Sequence, residues 1–511
     1  MEEKTRMNNM EKEHTASDLN KFIYDARNAQ KSWKEKTFRQ RKKIIRRMSR
    51  IILKYSDEIA ETISGCTGKT RFDALSTEVL PSAMAATYYA KAAKRFLKKK
   101  GIKAGNILLS YKRSYFLHEP WGVIGIISPW NYPFGIPFHE VVMGLMAGNA
   151  VILKVASLVT AVGEILKKVV EEAGVPEGLF HLVNMAGSKA GPAFIEAGVN
   201  KLFFTGSIPV GKKLMSLASS KLIPVCLELG GNDAMIVCKD ASLDRAVNGT
   251  LWAGLSNCGQ SCGGVERIYV HESLAVPFSS LLSERLKLLR TGREKEFDVD
   301  IGSLTTQNQY SKVKAQVKDA VSKGARIIAS AGMDDPKQLL HPLMLIENTT
   351  PEMELMKEET FGPIIVLDTF LTENEAVEKA NSTTYGLTAS IWSKHTGRAK
   401  KLASRLEAGA VTINDHLMSH GLAETHWGGY KQSGIGRSHG QTGFDEMTQT
   451  KVVVNDLLHG LPKNMWWYPH SKKSYNGIKG VMAFLFSKNF FKKLSGLGRL
   501  TGLFMGNIKK W

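Results

Sequence analysis

Short apolar runs, spaced by amphipathic stretches, restrict the fold of this chain more than any other feature. Gly122–Ser128 (GVIGIIS) and Ala150–Val155 (AVILKV) are short and continuously apolar, the pattern of strands buried on both faces. His181–Met185, Lys201–Thr205 and Pro224–Leu229 read as further strands. Helices are expected between them, across Phe138–Ala147 and Gly191–Ala197 and from about Pro209. The clearest runs from Thr160 to Ala173, with Val162, Ile165, Leu166, Val169 and Val170 on one face, and stops at Gly174 and Pro176. Such alternation builds a parallel sheet wrapped by helices, in the broad sense a nucleotide-binding architecture. A second series begins at Ala234–Cys238 and continues through Ala241–Ser256, Arg267–Val270, Ser279–Leu289, Ile364–Leu367 and Ala389–Trp392, which implies a second α/β domain. Residues 18–100 read as helical, with Ser17 or Asp18 as the first cap, and Ile107–Leu117 reads as extended.

Composition narrows the class. With 511 residues, 43% apolar and 23% charged, the chain has ordinary globular chemistry. Collagen, wholesale disorder and a disulfide miniprotein are excluded. The five cysteines (66, 226, 238, 258, 262) are odd in number and form no framework, and the first twenty residues contain no apolar leader core. A reducing, cytoplasmic setting is expected. The net charge of +21 is uneven: Leu457–Trp511 carries ten Lys or Arg and no acid.

Six local motifs bear on chemistry. In Phe204–Gly211 (FTGSIPVG) a strand meets a helix at a Gly-Ser turn, which suits a phosphate or simply a turn. In Leu227–Asn232 (LELGGN), Glu228 ends an apolar strand, as a base of raised pKa or as an exposed strand-end acid. In Asn257–Cys262 (NCGQSC), Cys262 follows a small polar loop, as an activated thiol or as an inert core residue. Cys258 and Cys262 lack the second pair that a zinc site requires, and no metal is expected. In Ser128–Pro133 (SPWNYP) two prolines fix Asn131, as an oxyanion donor or as a structural turn residue. Glu358–Pro363 (EETFGP) and Trp427–Arg437 (WGGYKQSGIGR) read as loops.

Taken in chain order, PWNYPF, FTGS, ELGGN, GQSC, EETFGP and GGYKQSGIGR closely resemble the aldehyde dehydrogenase superfamily, over about residues 18–458. The resemblance implies an α/β fold: a dinucleotide-binding domain (18–105 and 119–229), a catalytic domain (230–430) and a β-hairpin oligomerisation arm (106–118 and 440–458). A polar segment (1–17) precedes them. It also implies Cys262 as nucleophile, Glu228 as general base and Asn131 as oxyanion donor. NAD or NADP would lie along Ser128, Trp130, Gly206, Ser207 and Gly211, with Lys154 at the adenosine ribose. Glu359 would hold the nicotinamide ribose, and Phe361 would position that half. Many members follow the lysine with Pro, a small residue and Glu, whereas here Val155, Ala156 and Ser157 follow Lys154. The neutral Ser157 in place of a carboxylate implies mixed or NADP-leaning use. A small polar Ser261 precedes the nucleophile and bears on substrate fit.

The implied activity is oxidation of an aldehyde to its acid. Trp252, Trp427, Leu417 and Met418 are candidates for an apolar entrance or for core. A CoA-acylating enzyme needs no hydrolytic base, so Glu228 argues against it. A non-catalytic scaffold has no chemical reason to keep Cys262, Glu228 and Asn131 together. A homodimer or homotetramer is implied through the arm. Residues 461–511 interleave aromatics with lysines, and their longest apolar stretch (Gly480–Phe486) is too short to span a bilayer. This basic amphipathic extension is expected either to lie on an anionic membrane face or to pack on its own oligomer. No nucleic-acid-binding motif accompanies the charge, so no such partner is expected.

Overall fold

The computed structural model describes residues 13–464 and 466–508, with side chains as far as Arg499. Residues 1–12 of the polar segment, and Met465 and 509–511 of the extension, lie outside the described residues. The chain divides into two compact units: Met1–Leu97 with Glu119–Gln449, and Lys98–His118 with Thr450–Trp511.

The first unit opens with helices Ala16–Lys34, Phe38–Lys54, Ser56–Thr67 and Leu80–Leu97. The first two start on capping boxes, Thr15 with Asp18 and Thr37 with Gln40. The first cap is therefore Thr15, with Asp18 completing its box three residues on. Leu19, Ile23, Ala26 and Trp33, then Ile45, Met48 and Ile52, recur at helical spacing and are buried.

A six-stranded sheet follows, in spatial order Gly434–Ile435, Val225–Glu228, Lys201–Thr205, Val123–Ile127, Ala150–Lys154, Phe180–Leu182. All neighbours are parallel except Gly434–Ile435, which is antiparallel to Val225–Glu228. The chain winds outward from Val123–Ile127 on one side, then returns to lay Lys201–Thr205 on the other. The order reverses between these two strands, and a crevice opens at such a point beyond the strand C-termini.

The second sheet has seven strands, in order Arg326–Ala331, Leu343–Glu347, Ile364–Phe370, Val265–His271, Asp233–Val237, Thr388–Trp392, Ala410–Ile413. Arg326–Ala331 pairs antiparallel at one edge, and the other pairings are parallel.

The second unit has a three-stranded sheet, Lys100–Ile102, Lys112–Pro120 and Thr448–Asp456, and two helices, Lys472–Phe486 and Phe490–Ile508. Three boundaries differ from expectation. Residues 98–105 contribute a strand to this sheet. Ile107–Leu109 is a 3₁₀ turn capped by the Asn106 side chain. Residues 440–446, expected in the arm, form the helix Gly440–Glu446 of the first unit, because Phe444 is buried in that unit's core against Tyr89 and Phe96.

Candidate active site

The segment before Cys262 is held in an unusual backbone. Asn257 and Cys258 have φ of 53° and 55°, in the left-handed region. Non-glycine residues there cost roughly 1–3 kcal/mol each and persist only where neighbours determine them. The Asn257 N–H donates to Asp73 Oδ2 at 3.0 Å, and its side-chain amide donates to the carbonyls of Asn131 (3.0 Å) and Gln260 (3.1 Å). Gln260 returns a bond to the Asn257 carbonyl at 3.0 Å and accepts from the Thr305 N–H at 2.9 Å. The clamp fixes Cys262 at the end of the loop, half-buried. Burial raises its thiol pKa, and the nearby carboxylates Glu359, Asp233 and Glu228 raise it further. The resting thiol is protonated at neutral pH.

Asn131 is buried on the turn after Val123–Ile127. Its side-chain N–H₂ donates to the Gln260 carbonyl at 3.1 Å, which leaves the second hydrogen available. Its own carbonyl accepts from the Lys69 ammonium at 2.7 Å. Lys69 also pairs with Glu78 at 2.7 Å, and both side chains are fully buried. Glu78 accepts in turn from the N–H groups of Phe134 and Gly135, at the start of helix Gly135–Ala147.

The two glycines of LELGGN are required by close approach. A Cβ on Gly230 would sit 2.6 Å from the Glu359 carboxylate, and one on Gly231 would sit 2.3 Å from the Cys262 carbonyl. Glu228 itself is buried, and neither carboxylate oxygen has a hydrogen-bond partner among the described residues. Desolvation pushes its pKa well above the ordinary carboxyl range, with repulsion from buried Glu140 adding to it. The exposed strand-end alternative is thereby overturned.

At the point where the first sheet reverses, Trp130, Asn131, Thr205, Gly206, Ser207, Glu228, Cys262, Glu359 and Phe361 line one cavity of about 230 Å³. Ser207 precedes helix Ile208–Ser219 with no side-chain cap, which leaves the first N–H groups, other than at Pro209, without a cap and suited to an anion. Glu359 accepts from the Gly231 N–H at 3.0 Å, and burial raises its pKa to about 8. Phe361 has φ of 55°, and its ring stands edge-on to Trp130 at 5.6 Å. Lys154 is buried at the end of its strand with its pKa lowered by desolvation, and Ser157 is exposed three residues on. Ser128 ties the two strand ends together, its N–H donating to the Lys154 carbonyl at 2.9 Å. Gly211 stands behind the cavity wall: a Cβ there would meet Leu229 at 2.7 Å, so its glycine serves helix packing. The buried Thr205 hydroxyl has no partner among the described residues, which suits a polar ligand in this cavity.

Sequence reading missed the residues that hold the EETFGP loop. Glu266, buried on Val265–His271, accepts from the Thr360 and Phe361 N–H groups at 2.8–2.9 Å. Gln309 donates to the carbonyls of Thr360 and Phe361, and Lys312 to that of Glu359 at 2.6 Å. The available signal was weak: Glu266 stands beside Arg267 in the strand VERIYVH, where an acid is as ordinary as its neighbour.

A second cavity of about 170 Å³ reaches Cys262 from another side. Leu80, Met84, Tyr132, Trp252, Leu417, Met418 and Trp427 line it, so the four apolar candidates come together. Its one basic residue is His420, which burial pulls down to about 4, leaving it neutral near pH 7.

A polar crevice at a sheet's switch point and an apolar cavity meet at a single cysteine. An oxidoreductase that brings a dinucleotide and a carbonyl substrate together would need such an arrangement. The comparisons agree. Residues 5–453 match the model of the aldehyde dehydrogenase family. The 4,4'-diapolycopene aldehyde oxidase of Methylomonas sp is 35% identical over 464 residues, covering 91% of this chain and 86% of that protein. An NAD-dependent aldehyde dehydrogenase from Sinorhizobium meliloti superposes with a TM-score of 0.84 at 32% identity, covering 89% of this chain and 90% of that one. An E. coli NADP dependent enzyme superposes at 0.83 with 29% identity, over 87% and 91%. The chain belongs to the aldehyde dehydrogenase family. It oxidises an aldehyde to the carboxylic acid, with NAD or NADP as the hydride acceptor.

Proposed function

We propose that Cys262, Glu228 and Asn131 carry this reaction on an apolar aldehyde. The supporting observation is the place of Cys262, on the wall common to both cavities. As thiolate, Cys262 attacks the aldehyde carbon. The resulting oxyanion meets the free hydrogen of the Asn131 amide and the Cys262 N–H, which donates to no other group among the described residues. One such donor is typically worth about 2.7–4 kcal/mol in the barrier. Trp130, Glu359 and Phe361 would hold the nicotinamide end, which when bound would supply the hydride acceptor, and loss of hydride leaves the carbon as a thioester on Cys262. Glu228, once ionised, withdraws a proton from water, and the hydroxyl adds to the thioester. Collapse expels the thiolate and releases the acid.

The residues fit the dinucleotide. Gly206 and Ser207 at the open helix start take the pyrophosphate, Lys154 takes the adenosine ribose, and Glu359 takes the nicotinamide ribose. Ser128, Trp130 and Phe361 shape the remaining wall, with Gly211 allowing the helix to approach. The domain reading follows: residues 119–229 bind the dinucleotide and 230–430 bear the nucleophile. Lys154 forms no ion pair among the described residues, and the neighbouring Ser157 is neutral, so a 2′-phosphate meets a cation and no carboxylate. NADP turnover is therefore expected to equal or exceed NAD turnover. Reduced-cofactor formation by the purified protein with each cofactor, over a series of aldehydes, tests this. A strong preference for NAD rejects the cofactor reading, and no turnover of any aldehyde rejects the roles.

The three-stranded sheet of the second unit supports assembly as a homodimer or homotetramer. Its two helices support peripheral attachment to the cytoplasmic face of an anionic membrane. They close-pack at Gly480 and Gly496, where a Cβ on either would lie 2.5–2.9 Å from the other's carbonyl. That packing leaves Phe486, Phe490, Phe491 and Leu494 exposed beside Lys488, Lys492 and Lys493. Among the described residues no helix is long and apolar enough to cross a membrane. Each base near anionic lipid contributes about 1 kcal/mol, so replacing all three by Glu is expected to weaken flotation with phosphatidylglycerol vesicles on the order of 100-fold. Equal flotation of the wild type, this variant and a form ending at Leu461 rejects attachment.

A further inference from the structure

Accepting the reading of Cys262 as the nucleophile for an apolar aldehyde, its own cavity is small for such a substrate. At about 170 Å³ it falls below the range of roughly 300–1,000 Å³ typical of sites that enclose a whole ligand. It has room for the reacting end. A larger cavity, about 500 Å³, adjoins it. Trp252 and Ser256 line both, so the two cavities share the indole as a common wall.

Phe72, Leu251, Leu289, Phe297 and Val299 supply the apolar walls of this second cavity. The outer wall is built in place. Arg290 pairs with Asp300 at 2.7 Å, and Thr291 bridges to Ile301. The Arg71 guanidinium lies over the Phe297 ring at 4.2 Å and bonds the Lys295 carbonyl at 2.8 Å. The polar lining is already engaged. Asp73 holds the Asn257 N–H, Asn248 accepts from Arg285, and Glu294 accepts from the Arg71 N–H. The one polar atom buried there without a partner among the described residues is the other Glu294 oxygen, and that carboxylate is already paired with the Arg71 guanidinium at 3.5 Å. Among the described residues the one cation lining the cavity, Arg290, is paired with Asp300 and so is already engaged.

We propose that this second cavity receives the distal hydrocarbon of a long-chain apolar aldehyde, with its carbonyl at Cys262 and its chain passing Trp252. Short aldehydes fill only the first cavity. Each further buried methylene then raises kcat/KM by up to about fourfold.

The test measures kcat/KM with NADP for straight-chain aldehydes from hexanal to dodecanal. It uses the full-length wild type, Phe72→Ser and Phe297→Ser. Both phenylalanines are largely exposed, at 68% and 63%, so their replacement spares the core. The expected result is a rise that continues to dodecanal in the wild type. Either variant then loses at least about tenfold on dodecanal and leaves hexanal unchanged. A plateau at short chains in the wild type, or an equal effect of the variants on both aldehydes, overturns the proposal. Absence of Cys262-dependent turnover of hexanal is a different failure: it overturns the aldehyde reading of the site itself.

Discussion

Cys262→Ala is expected to lower kcat for aldehyde oxidation by roughly 10⁴-fold or more, because no other group can form the covalent intermediate. Of the remaining cysteines, Cys226, Cys238 and Cys258 are buried and Cys66 lines neither active-site cavity. Cofactor binding should survive, since the contacts proposed for the pyrophosphate and the adenosine ribose, at Gly206, Ser207 and Lys154, lie on the first sheet's loops. Steady-state assay with a fluorescence titration of NADPH separates the two effects. The wild type should also show kcat/KM rising from neutral to alkaline pH. Burial and neighbouring carboxylates hold the thiol protonated, and only the thiolate attacks. Cysteine-independent turnover, or a flat profile, rejects Cys262 as the nucleophile.

Glu228→Gln separates the two halves of the reaction. Attack and hydride loss need no base at this position, whereas thioester hydrolysis does. A burst of one reduced cofactor per subunit is therefore expected, followed by steady-state turnover slower by about 10²–10⁴-fold. Loss of the burst itself would place Glu228 in the first half instead. The variant should fold at least as well as the wild type. The folded carboxyl has a raised pKa and keeps its proton where the unfolded one has lost it, so Glu228 makes stability fall as pH rises above its ordinary value near 4.5. A neutral amide removes that dependence. A thermal midpoint at pH 8 equal to or above that of the wild type, alongside the kinetic loss, shows that the defect is chemical.

Much of the site was legible because its chemistry is written in contiguous segments. Asn131, Glu228, Cys262 and Glu359 each stand in a run whose glycines and prolines serve close approach or a fixed turn. Strands buried on both faces were equally plain, since their apolar runs are uninterrupted. Less legible were Arg326–Ala331 and Ala410–Ile413. One is an edge strand with an exposed arginine, and the other is half-buried throughout, so neither shows a clean period. The arm's limits were misplaced at 440–446 because a helix that packs through Phe444 carries no local sign of which unit it joins.

By itself, then, the sequence determined the alternating α/β layers, the chemical groups proposed for the reacting centre and the uneven charge of the extension. Each follows from local periodicity or from residues adjacent in the chain. Tertiary structure alone decided what holds those groups and what they face. Lys69, in the segment TGKT, is buried against Glu78 and the Asn131 carbonyl, 62 residues on. Glu266 supports a loop 94 residues away. Trp252 stands between two cavities whose walls come from five distant segments. Burial, desolvation and the joining of cavities are properties of groups brought together across the chain, and no single stretch of residues contains them.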